Sequence, residues 1–438
     1  MKHASRKLLV LVVSVLPALP GLAATDTADR FMDALERADF TAAHAMFDQA
    51  ASEQLSAPEL ERVWQSLPAQ LGPYRARGPA RAESTSGPDA TVFRLEFENM
   101  ALDARVTIDD QGRVSGFRLV PAAPASDRAA AGSALDPGEI EVRVGGELPG
   151  VLRVPAGQGP FPAVVLVHGS GPNDRDATIG PNKPFRDIAA GLADRGIASL
   201  RYDKRTRVTP EAFDGRAYTV EDEVIADAVV ATRLLREHPQ VDPAGVFLVG
   251  HSLGAMLAPR IAVADGALAG MAMLAAPARP LHEVVPSQIR YIAGLDGKVS
   301  EDERAALATI EDQAARVLGY SDRESAASGL LGLPESYLID LREYDPVAMA
   351  ESLDLPMLIA QGGRDYQVTV EDDFARWQSV MSGRSAVRTT LYESLNHLFI
   401  SGDGMATPTE YMTRAGHVDD RLLDDLADFI HEQGSWKQ

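Results

Sequence analysis

The chain of 438 residues contains no cysteine, and this absence excludes several classes of protein. A disulfide scaffold, a thiolate zinc site, an iron–sulfur cluster and a cysteine nucleophile all require that residue. Basic residues are also scarce, since 42 Lys and Arg stand against 63 Asp and Glu for a formal net charge of −21. A chain with this charge lacks the basic face that phosphate binding needs, so we expect no nucleic-acid partner.

Patterns that would bind a metal or a nucleotide are missing as well. None of the 9 histidines stands in an H-E-x-x-H motif or in a comparable ligand spacing. The short glycine-rich stretch Gly169-Ser170-Gly171 lacks both the third glycine of a dinucleotide fingerprint and the lysine of a P-loop. We therefore predict that the protein uses no metal and no cofactor.

Residues 1–24 have the three-part layout of a secretory signal peptide. Three basic residues and no acid come first, an almost continuous apolar run follows over Leu8–Leu16, and small residues stand at Ala23 and Ala24. The alternative is an uncleaved membrane anchor, but the run is shorter than the roughly 20 residues that a spanning helix needs. We expect cleavage here, no membrane span in the mature chain, and a periplasmic or secreted location.

The pattern of apolar residues divides the rest of the chain into two folded regions. Residues 25–120 change from helical to alternating periodicity, which predicts a small α+β domain with helices first and antiparallel strands afterwards. Residues 121–138 are rich in Ala, Pro, Ser and Gly and are typical of a linker. In 139–438 strands alternate with helices, which predicts an α/β fold with a mostly parallel central sheet covered by helices on both faces. A helical insertion at about 278–344 interrupts that alternation; we interpret it as a lid, the alternative being a surface elaboration without substrate contact.

One short motif in the second region carries the chemistry. Gly250-His251-Ser252-Leu253-Gly254 is a G-x-S-x-G pattern that lies between a predicted strand and a predicted helix. This context is typical of a nucleophile elbow, where a serine on a sharp turn is raised above the sheet and its second neighbours must be small. A helix-capping turn is the alternative. We predict that Ser252 is the nucleophile and that the backbone N–H of Leu253 is one oxyanion-hole donor.

A serine hydroxyl needs a positioned base, and in an elbow fold the acid and then the histidine follow later strands. Asp365 comes after a predicted strand and a Gly-Gly turn, and His397 comes after the next strand. We therefore predict Asp365 and His397 as the other two members of a triad. His417 is the alternative base, and Asp203 and Asp345 are the alternative acids.

The loop 168–172 follows the first long buried strand and is rich in glycine, so that its backbone can approach a substrate. We predict that the N–H of Ser170 is the second oxyanion-hole donor, with that of Gly171 as the second choice. Gly169, Gly171 and His251 are further candidates for substrate contact.

Two charged segments lie near these motifs. Asn173, Arg175 and Asp176 are candidates to line the site, and a structural ion pair is an equally good interpretation of Arg175 and Asp176. Residues 202–205, Tyr-Asp-Lys-Arg, end another predicted strand at the same edge of the sheet. We interpret them as a structural ion-pair cluster, with substrate contact as the alternative.

The motifs at 168–176, 180–185, 201–205, 250–254 and 396–399 together resemble a bacterial branch of the α/β-hydrolase superfamily. That branch is related to dienelactone hydrolases and acyl-peptidase-like esterases. Its members often carry a small N-terminal domain of unknown function that is similar to the nuclear-transport-factor-like fold. The resemblance covers about residues 140–433, and it implies a triad of Ser252, Asp365 and His397 with carboxylesterase activity on small acyl esters.

Three functions therefore compete. The first is an exported serine carboxylesterase that acts on a small-molecule ester through an acyl-enzyme. The second is a serine peptidase or amidase with the same triad, and the remote third is a non-catalytic binding protein on a hydrolase scaffold. Acyl-chain length, the role of the N-terminal domain and assembly into a homo-oligomer stay open at this stage.

Overall fold

The computed structural model describes residues 20–83, 90–98, 101–121, 135–213, 215–404 and 406–433. The chain divides into two compact units, residues 1–123 and residues 124–438. Most of the predicted signal peptide and most of the predicted linker lie outside the described residues, so both stay predictions.

The smaller unit has helices first and an antiparallel sheet afterwards. Its elements are α1 (Pro20–Glu36), α2 (Phe40–His44), α3 (Gln49–Gln54), α4 (Ala57–Leu71), β1 (Tyr74–Arg77), β2 (Arg81–Glu83), β3 (Ala90–Phe97), β4 (Ala101–Ile108) and β5 (Val114–Pro121). The strands pair in the order β1-β3-β4-β5, and β2 pairs with β3.

Local sequence explains how this unit folds. Helix α4 begins at a capping box in which Ser56 and Glu59 satisfy each other's backbone N–H groups. Strand β4 alternates between buried and partly exposed side chains, so one face of the sheet turns to the core. The core is completed by the apolar side of α1, where Phe31 and Leu35 are fully buried.

The larger unit is built around an eight-stranded sheet with helices between its strands. Short helical turns at 221–225 and 370–374 are π-helical and lead into longer helices. Its elements are β6 (Glu139–Val144), β7 (Leu148–Arg153), β8 (Phe161–Val167), α5 (Pro184–Asp194), β9 (Ala198–Tyr202), α6 (Arg205–Val208), α7 (Ala226–Arg236), β10 (Val241–His251), α8 (Leu253–Asp265), β11 (Gly270–Leu274), α9 (Leu281–Ala293), α10 (Glu301–Val317), α11 (Glu335–Arg342), α12 (Pro346–Glu351), β12 (Met357–Gly362), α13 (Ala375–Met381), β13 (Val387–Tyr392), α14 (Pro408–Thr413) and α15 (Asp420–Gln433).

The strand order in the larger sheet is β13-β12-β11-β10-β8-β9-β7-β6. From β13 to β9 every neighbouring pair is parallel. The two antiparallel pairs, β9 with β7 and β7 with β6, lie at one edge of the sheet. The predicted fold class is therefore confirmed: this is the α/β-hydrolase fold with a mostly parallel sheet, preceded by a separate small α+β domain.

The central strands are buried on both faces because helices cover both. Strands β11 and β12 have no exposed residue, and their side chains divide between two apolar clusters on opposite sides of the sheet. Such continuous apolar strands are characteristic of parallel sheets. No helix among the described residues has the length and apolar character that crossing a membrane would require.

Helices α9, α10 and α11 make up most of the insertion between β11 and β12. They enclose a small apolar cluster of their own, which includes Val285, Val317 and Leu338. The insertion is thus a packed helical segment, and its contribution to the site follows from which of its side chains turn toward the sheet.

Candidate active site

The serine of the G-x-S-x-G motif stands where β10 ends and α8 begins. Ser252 has φ 55° and ψ −119°, a region of the backbone map that non-glycine residues rarely occupy. Its N–H donates to the carbonyl of Leu274 at 2.9 Å and its carbonyl accepts from Met256 at 2.9 Å, so both backbone groups are held. This is the strained strand-to-helix turn of a nucleophile elbow.

The two glycines of the motif are required by close backbone approach. A Cβ on Gly250 would lie 2.3 Å from the carbonyl oxygen of Gly254. A Cβ on Gly254 would lie 2.3 Å from the carbonyl oxygen of Val167 on the neighbouring strand β8. No side chain fits at either position without moving the backbone, so the turn keeps its shape only with glycine at both.

The predicted acid and base meet directly. Asp365, after β12, accepts a hydrogen bond from Nδ1 of His397, after β13, with 2.7 Å between Oδ2 and Nδ1. Both side chains are buried. Because the carboxylate accepts from Nδ1–H, the neutral imidazole keeps Nε2 unprotonated and able to take a proton.

Asp365 is itself held by a set of donors. Its Oδ1 accepts from the backbone N–H groups of Gln367 at 2.8 Å and Val368 at 3.0 Å, and its Oδ2 also accepts from the amide of Gln361 at 3.2 Å. Sequence reasoning did not assign Gln361, although a polar residue within the otherwise apolar strand β12 was the available signal.

The loop that carries His397 is fixed by the residue before it. Asn396 accepts at its side-chain oxygen from the N–H groups of Leu398 and Ile400, at 3.0 and 3.1 Å. Its amide donates to Glu410, which also forms an ion pair with Arg364 at 2.7 Å. These contacts hold the turn that presents the imidazole.

A small cavity of about 40 Å³ reaches Ser252. Ser170 and Leu253, the predicted sources of the oxyanion-hole donors, line the same cavity. Most of the lining is apolar, and five lining residues come from the insertion. The remaining residues that line it are Met256, Pro277, Arg279, Leu281, Val284, Gln288, Leu341 and Val368.

The two glycines of the loop after β8 have separate places. Gly169 backs onto the elbow, since a Cβ there would lie 3.1 Å from the Cβ of Ser252. Gly171 has φ 88° and open space around its α carbon. Ser170 lines the cavity, whereas Gly169 and Gly171, the two glycines considered for substrate contact, do not.

His251, a candidate for substrate contact in the sequence analysis, lies against His397 in the structure. Its Nε2 lies 2.8 Å from the carbonyl oxygen of His397, and the two rings are 4.7 Å apart between centroids. Because a carbonyl can only accept, Nε2 of His251 carries the hydrogen. Burial, and then the neighbouring His397, lower the pKa of His251 to about 3, so its ring is neutral.

The competing acids and base have other roles in the structure. His417 is exposed and pairs with Asp187 at 3.1 Å. Asp203 forms an ion pair with Arg175 at 3.0 Å, and Asp345 caps the N-terminus of α12. Among the described residues, none of these three forms a hydrogen bond with the imidazole of His397.

The two charged segments near the site form ion pairs. Besides the pair of Arg175 with Asp203, Arg201 contacts Asp176 at 2.8 Å, and Lys204 contacts Glu223 at 2.9 Å. Within the described part of the chain, no three His, Asp or Glu side chains come together as a group that could hold a metal ion.

Comparison with known proteins agrees with this architecture. A family model described as the alpha/beta hydrolase family matches residues 164–428, and a family of proteins of unknown function, DUF3887, matches residues 28–117. The chain is 42% identical over 402 residues to Esterase EstD of Thermotoga maritima, a match that covers 91% of this chain and 93% of that protein.

Two solved structures are similar at a lower level. Est1E from Butyrivibrio proteoclasticus is 14% identical, with a TM-score of 0.42 over 68% of this chain and 98% of that one. An esterase from Pyrococcus furiosus is 16% identical, with a TM-score of 0.43 over 72% of this chain and 96% of that one. The family model spans more than half of the sequence and the relative in Thermotoga maritima matches nearly all of it, so the chain belongs to the alpha/beta hydrolase family.

Proposed function

We propose that this protein is a serine carboxylesterase that cleaves small-molecule esters through Ser252, His397 and Asp365. The observation that carries the proposal is the buried 2.7 Å hydrogen bond between Asp365 and His397, formed at the ends of two strands of the sheet whose elbow holds Ser252. The identity of 42% to an esterase over nearly the whole chain supports the ester as the bond that is cleaved.

The reaction proceeds in two halves. In the first, the Ser252 oxygen attacks the ester carbonyl while Nε2 of His397 takes the hydroxyl proton, and Asp365 stabilises the resulting imidazolium. The tetrahedral intermediate collapses, His397 gives its proton to the departing alcohol, and an acyl-enzyme remains. In the second half water repeats the attack on that acyl group with His397 again as the base, which releases the carboxylic acid and the free serine.

The negative charge of each tetrahedral intermediate falls on the former carbonyl oxygen. We assign its two donors to the backbone N–H groups of Leu253 and Ser170. Leu253 is the first residue of α8, where the unpaired N–H groups and the helix dipole favour negative charge. Both residues line the cavity with Ser252, which supports this assignment.

The cavity favours small apolar acyl groups. Its volume of about 40 Å³ is far below the several hundred Å³ that are typical of pockets for drug-sized ligands. Leu281 and Val284 on α9 and Leu341 on α11 turn apolar atoms to it, so the insertion lies over the nucleophile and limits what enters.

The test is hydrolysis of p-nitrophenyl acetate, butyrate and octanoate by the protein and by Ser252→Ala. We expect turnover of the short esters to exceed that of octanoate and to fall by roughly 10⁴-fold or more in Ser252→Ala, because the nucleophile is lost. A folded wild-type protein that hydrolyses none of these esters would contradict the proposal. Matched p-nitroanilides distinguish the remaining peptidase or amidase alternative, since an esterase leaves them almost uncleaved.

We propose in addition that the enzyme is exported and that cleavage occurs near Ala24. In α1 the side chains of Thr27 and Ala28 are buried, so cleavage near Ala24 keeps both of these packed residues in the mature chain. Expression of the whole chain with a C-terminal tag, followed by fractionation and N-terminal sequencing, tests this. Recovery of unprocessed protein in the cytoplasm would overturn it.

A further inference from the structure

The contact between Lys204 and the loop after β8 is not used by the triad. Lys204 follows strand β9, and its side chain is only 3% exposed. Its Nζ donates to the carbonyl oxygen of Gly169 at 3.0 Å and pairs with Glu223 at 2.9 Å. A buried ammonium is costly unless its hydrogen bonds are satisfied, so this placement calls for a physical account.

The carbonyl of Gly169 belongs to the same peptide group as the N–H of Ser170. In a trans peptide these two groups point in opposite directions, so an orientation imposed on the oxygen is imposed on the N–H as well. The side-chain amide of Asn173 donates to the same oxygen at 3.2 Å. Two donors on one carbonyl fix the plane of this peptide.

The ammonium also acts on the electrons of that peptide. A charge-assisted hydrogen bond is stronger than a neutral one, and polarisation of the carbonyl makes the N–H of the same amide a better donor. The charge of Lys204 also acts on the neighbouring residue His168. Burial is the main cause that lowers the pKa of His168 to about 3, and repulsion by Lys204 is the second.

Glu223 is held in turn, so the ammonium has a fixed position. Its second oxygen accepts a hydrogen bond of 2.8 Å from the hydroxyl of Tyr337, a buried residue on α11 of the insertion. The chain of contacts therefore runs from the insertion through Glu223 and Lys204 to the peptide between Gly169 and Ser170.

We propose that Lys204 is a positioning residue for the oxyanion hole, which orients and polarises the Gly169–Ser170 peptide so that the Ser170 N–H stabilises the tetrahedral intermediate. The inference rests on the proposed esterase function. It differs from the interpretation of 202–205 as a purely structural ion-pair cluster, because only a positioning role links Lys204 to binding of a developing oxyanion.

The test compares Glu223→Gln with the double variant Lys204→Met, Glu223→Gln. Removing Lys204 alone would leave a buried carboxylate unpaired, so the charge of Glu223 is neutralised first and the comparison isolates the lysine. The matched control is Arg236→Met with Asp265→Asn, which removes an ion pair between the ends of α7 and α8 that does not touch Gly169. Thermal unfolding of every variant is recorded.

The decisive readout is inhibition by phenylboronic acid, which adds to the serine oxygen and becomes an anionic tetrahedral mimic of the intermediate. We expect the double variant to bind it about 10–100-fold more weakly than Glu223→Gln does, with a parallel fall in kcat and little change in KM. This is less than the 10²–10³-fold loss typical of deleting a donor, because the donor is misaligned and not removed. The control pair should change boronate inhibition by less than about threefold, since its loss leaves every oxyanion donor in place.

Equal boronate affinity in the two Glu223→Gln backgrounds would overturn the inference, as would an equal loss in the control pair. Asn173→Ala, in a partly exposed loop, removes the other donor to the same carbonyl and keeps the test decisive where the double variant does not fold. It should weaken boronate binding by about 3–10-fold, and unchanged affinity counts against the proposal. A wild-type protein inactive on all esters would instead refute the proposed function.

Discussion

The two sheets of this protein differ in what their strand ends can do. In the larger unit β8, β10, β12 and β13 run parallel, so their carboxyl ends meet at one edge and carry Ser170, Ser252, Asp365 and His397 there. In the smaller unit neighbouring strands are antiparallel, so consecutive strand ends alternate between opposite edges. Parallel strand direction thus allows residues far apart in sequence to assemble at one edge of a sheet.

A single added methyl group should have very different effects at the elbow of the larger unit and in the sheet of the smaller unit. Gly254→Ala places a Cβ against the backbone oxygens of Val167 and His168, at 2.3 and 2.6 Å, which cannot move independently of β8. We expect kcat/KM to fall by about two to three orders of magnitude, because both Ser252 and the Leu253 N–H are displaced. Steady-state kinetics with p-nitrophenyl butyrate measures this.

The control is Gly116→Ala in the smaller sheet. There a Cβ would lie 2.5 Å from Thr107 Oγ1, the movable end of a side chain, so rotation relieves the contact. We expect kcat/KM to stay within about twofold, because this sheet supplies no residue to the cavity. Full activity of Gly254→Ala would show that the elbow tolerates a shift we consider prohibitive.

A cavity in the core of the smaller unit should lower the stability of that unit without changing the activity of the larger one. Leu35→Ala removes a fully buried side chain of α1, and we expect about 2–5 kcal/mol less free energy of unfolding for the smaller unit with kcat unchanged. Calorimetry beside kinetics checks both expectations. Leu257→Ala on α8 is the matched change in the core of the larger unit, and it should lower the unfolding temperature of that unit instead. Loss of kcat in Leu35→Ala would contradict the division of roles.

The smallest effect concerns pH and is confined to the larger unit. The folded-state pKa of His251, about 3, lies below the ordinary value of 6.5, so the unfolded chain binds the extra proton first as pH falls. This histidine is neutral in both states well above pH 6.5, and its linkage destabilises the fold progressively between pH 6.5 and 3. In His251→Gln, which keeps a donor for the His397 carbonyl, the dependence of unfolding free energy on pH should flatten by up to about 1.4 kcal/mol per pH unit in that window. Denaturant unfolding at pH 4–6 measures this dependence. If the variant and the wild type show the same change of unfolding free energy with pH, His251 does not contribute to the loss of stability.

The fold could be predicted from the sequence because its strands and helices leave local signals, and the candidate triad was predicted from signals of the same kind. Ser252 lies in a motif with a strand before it and a helix after it, and Asp365 and His397 each follow an apolar strand. The limits of the strands that lead to Ser252 and His397, Val241–His251 for β10 and Val387–Tyr392 for β13, come from the structure.

The remaining contacts depend on tertiary structure and leave no local signal. His251 was a candidate for substrate contact, and in the structure its Nε2 reaches the His397 carbonyl, 146 residues away. Lys204 was interpreted as part of a structural ion-pair cluster, since nothing in its own segment shows that Gly169 lies within 3.0 Å. Such roles appear only once parallel strands have brought the two loops together.

The backbone at Ser252 also restricts which chemistry this site can adopt. At φ 55° a side chain branched at Cβ clashes with its own backbone, so threonine could not occupy the turn without considerable strain. An unbranched Cβ fits, so of the hydroxyl and thiol nucleophiles serine and cysteine are compatible with the turn and threonine is not. A torsion angle, set by how a strand passes into a helix, thus decides which reactive groups substitution could ever introduce here.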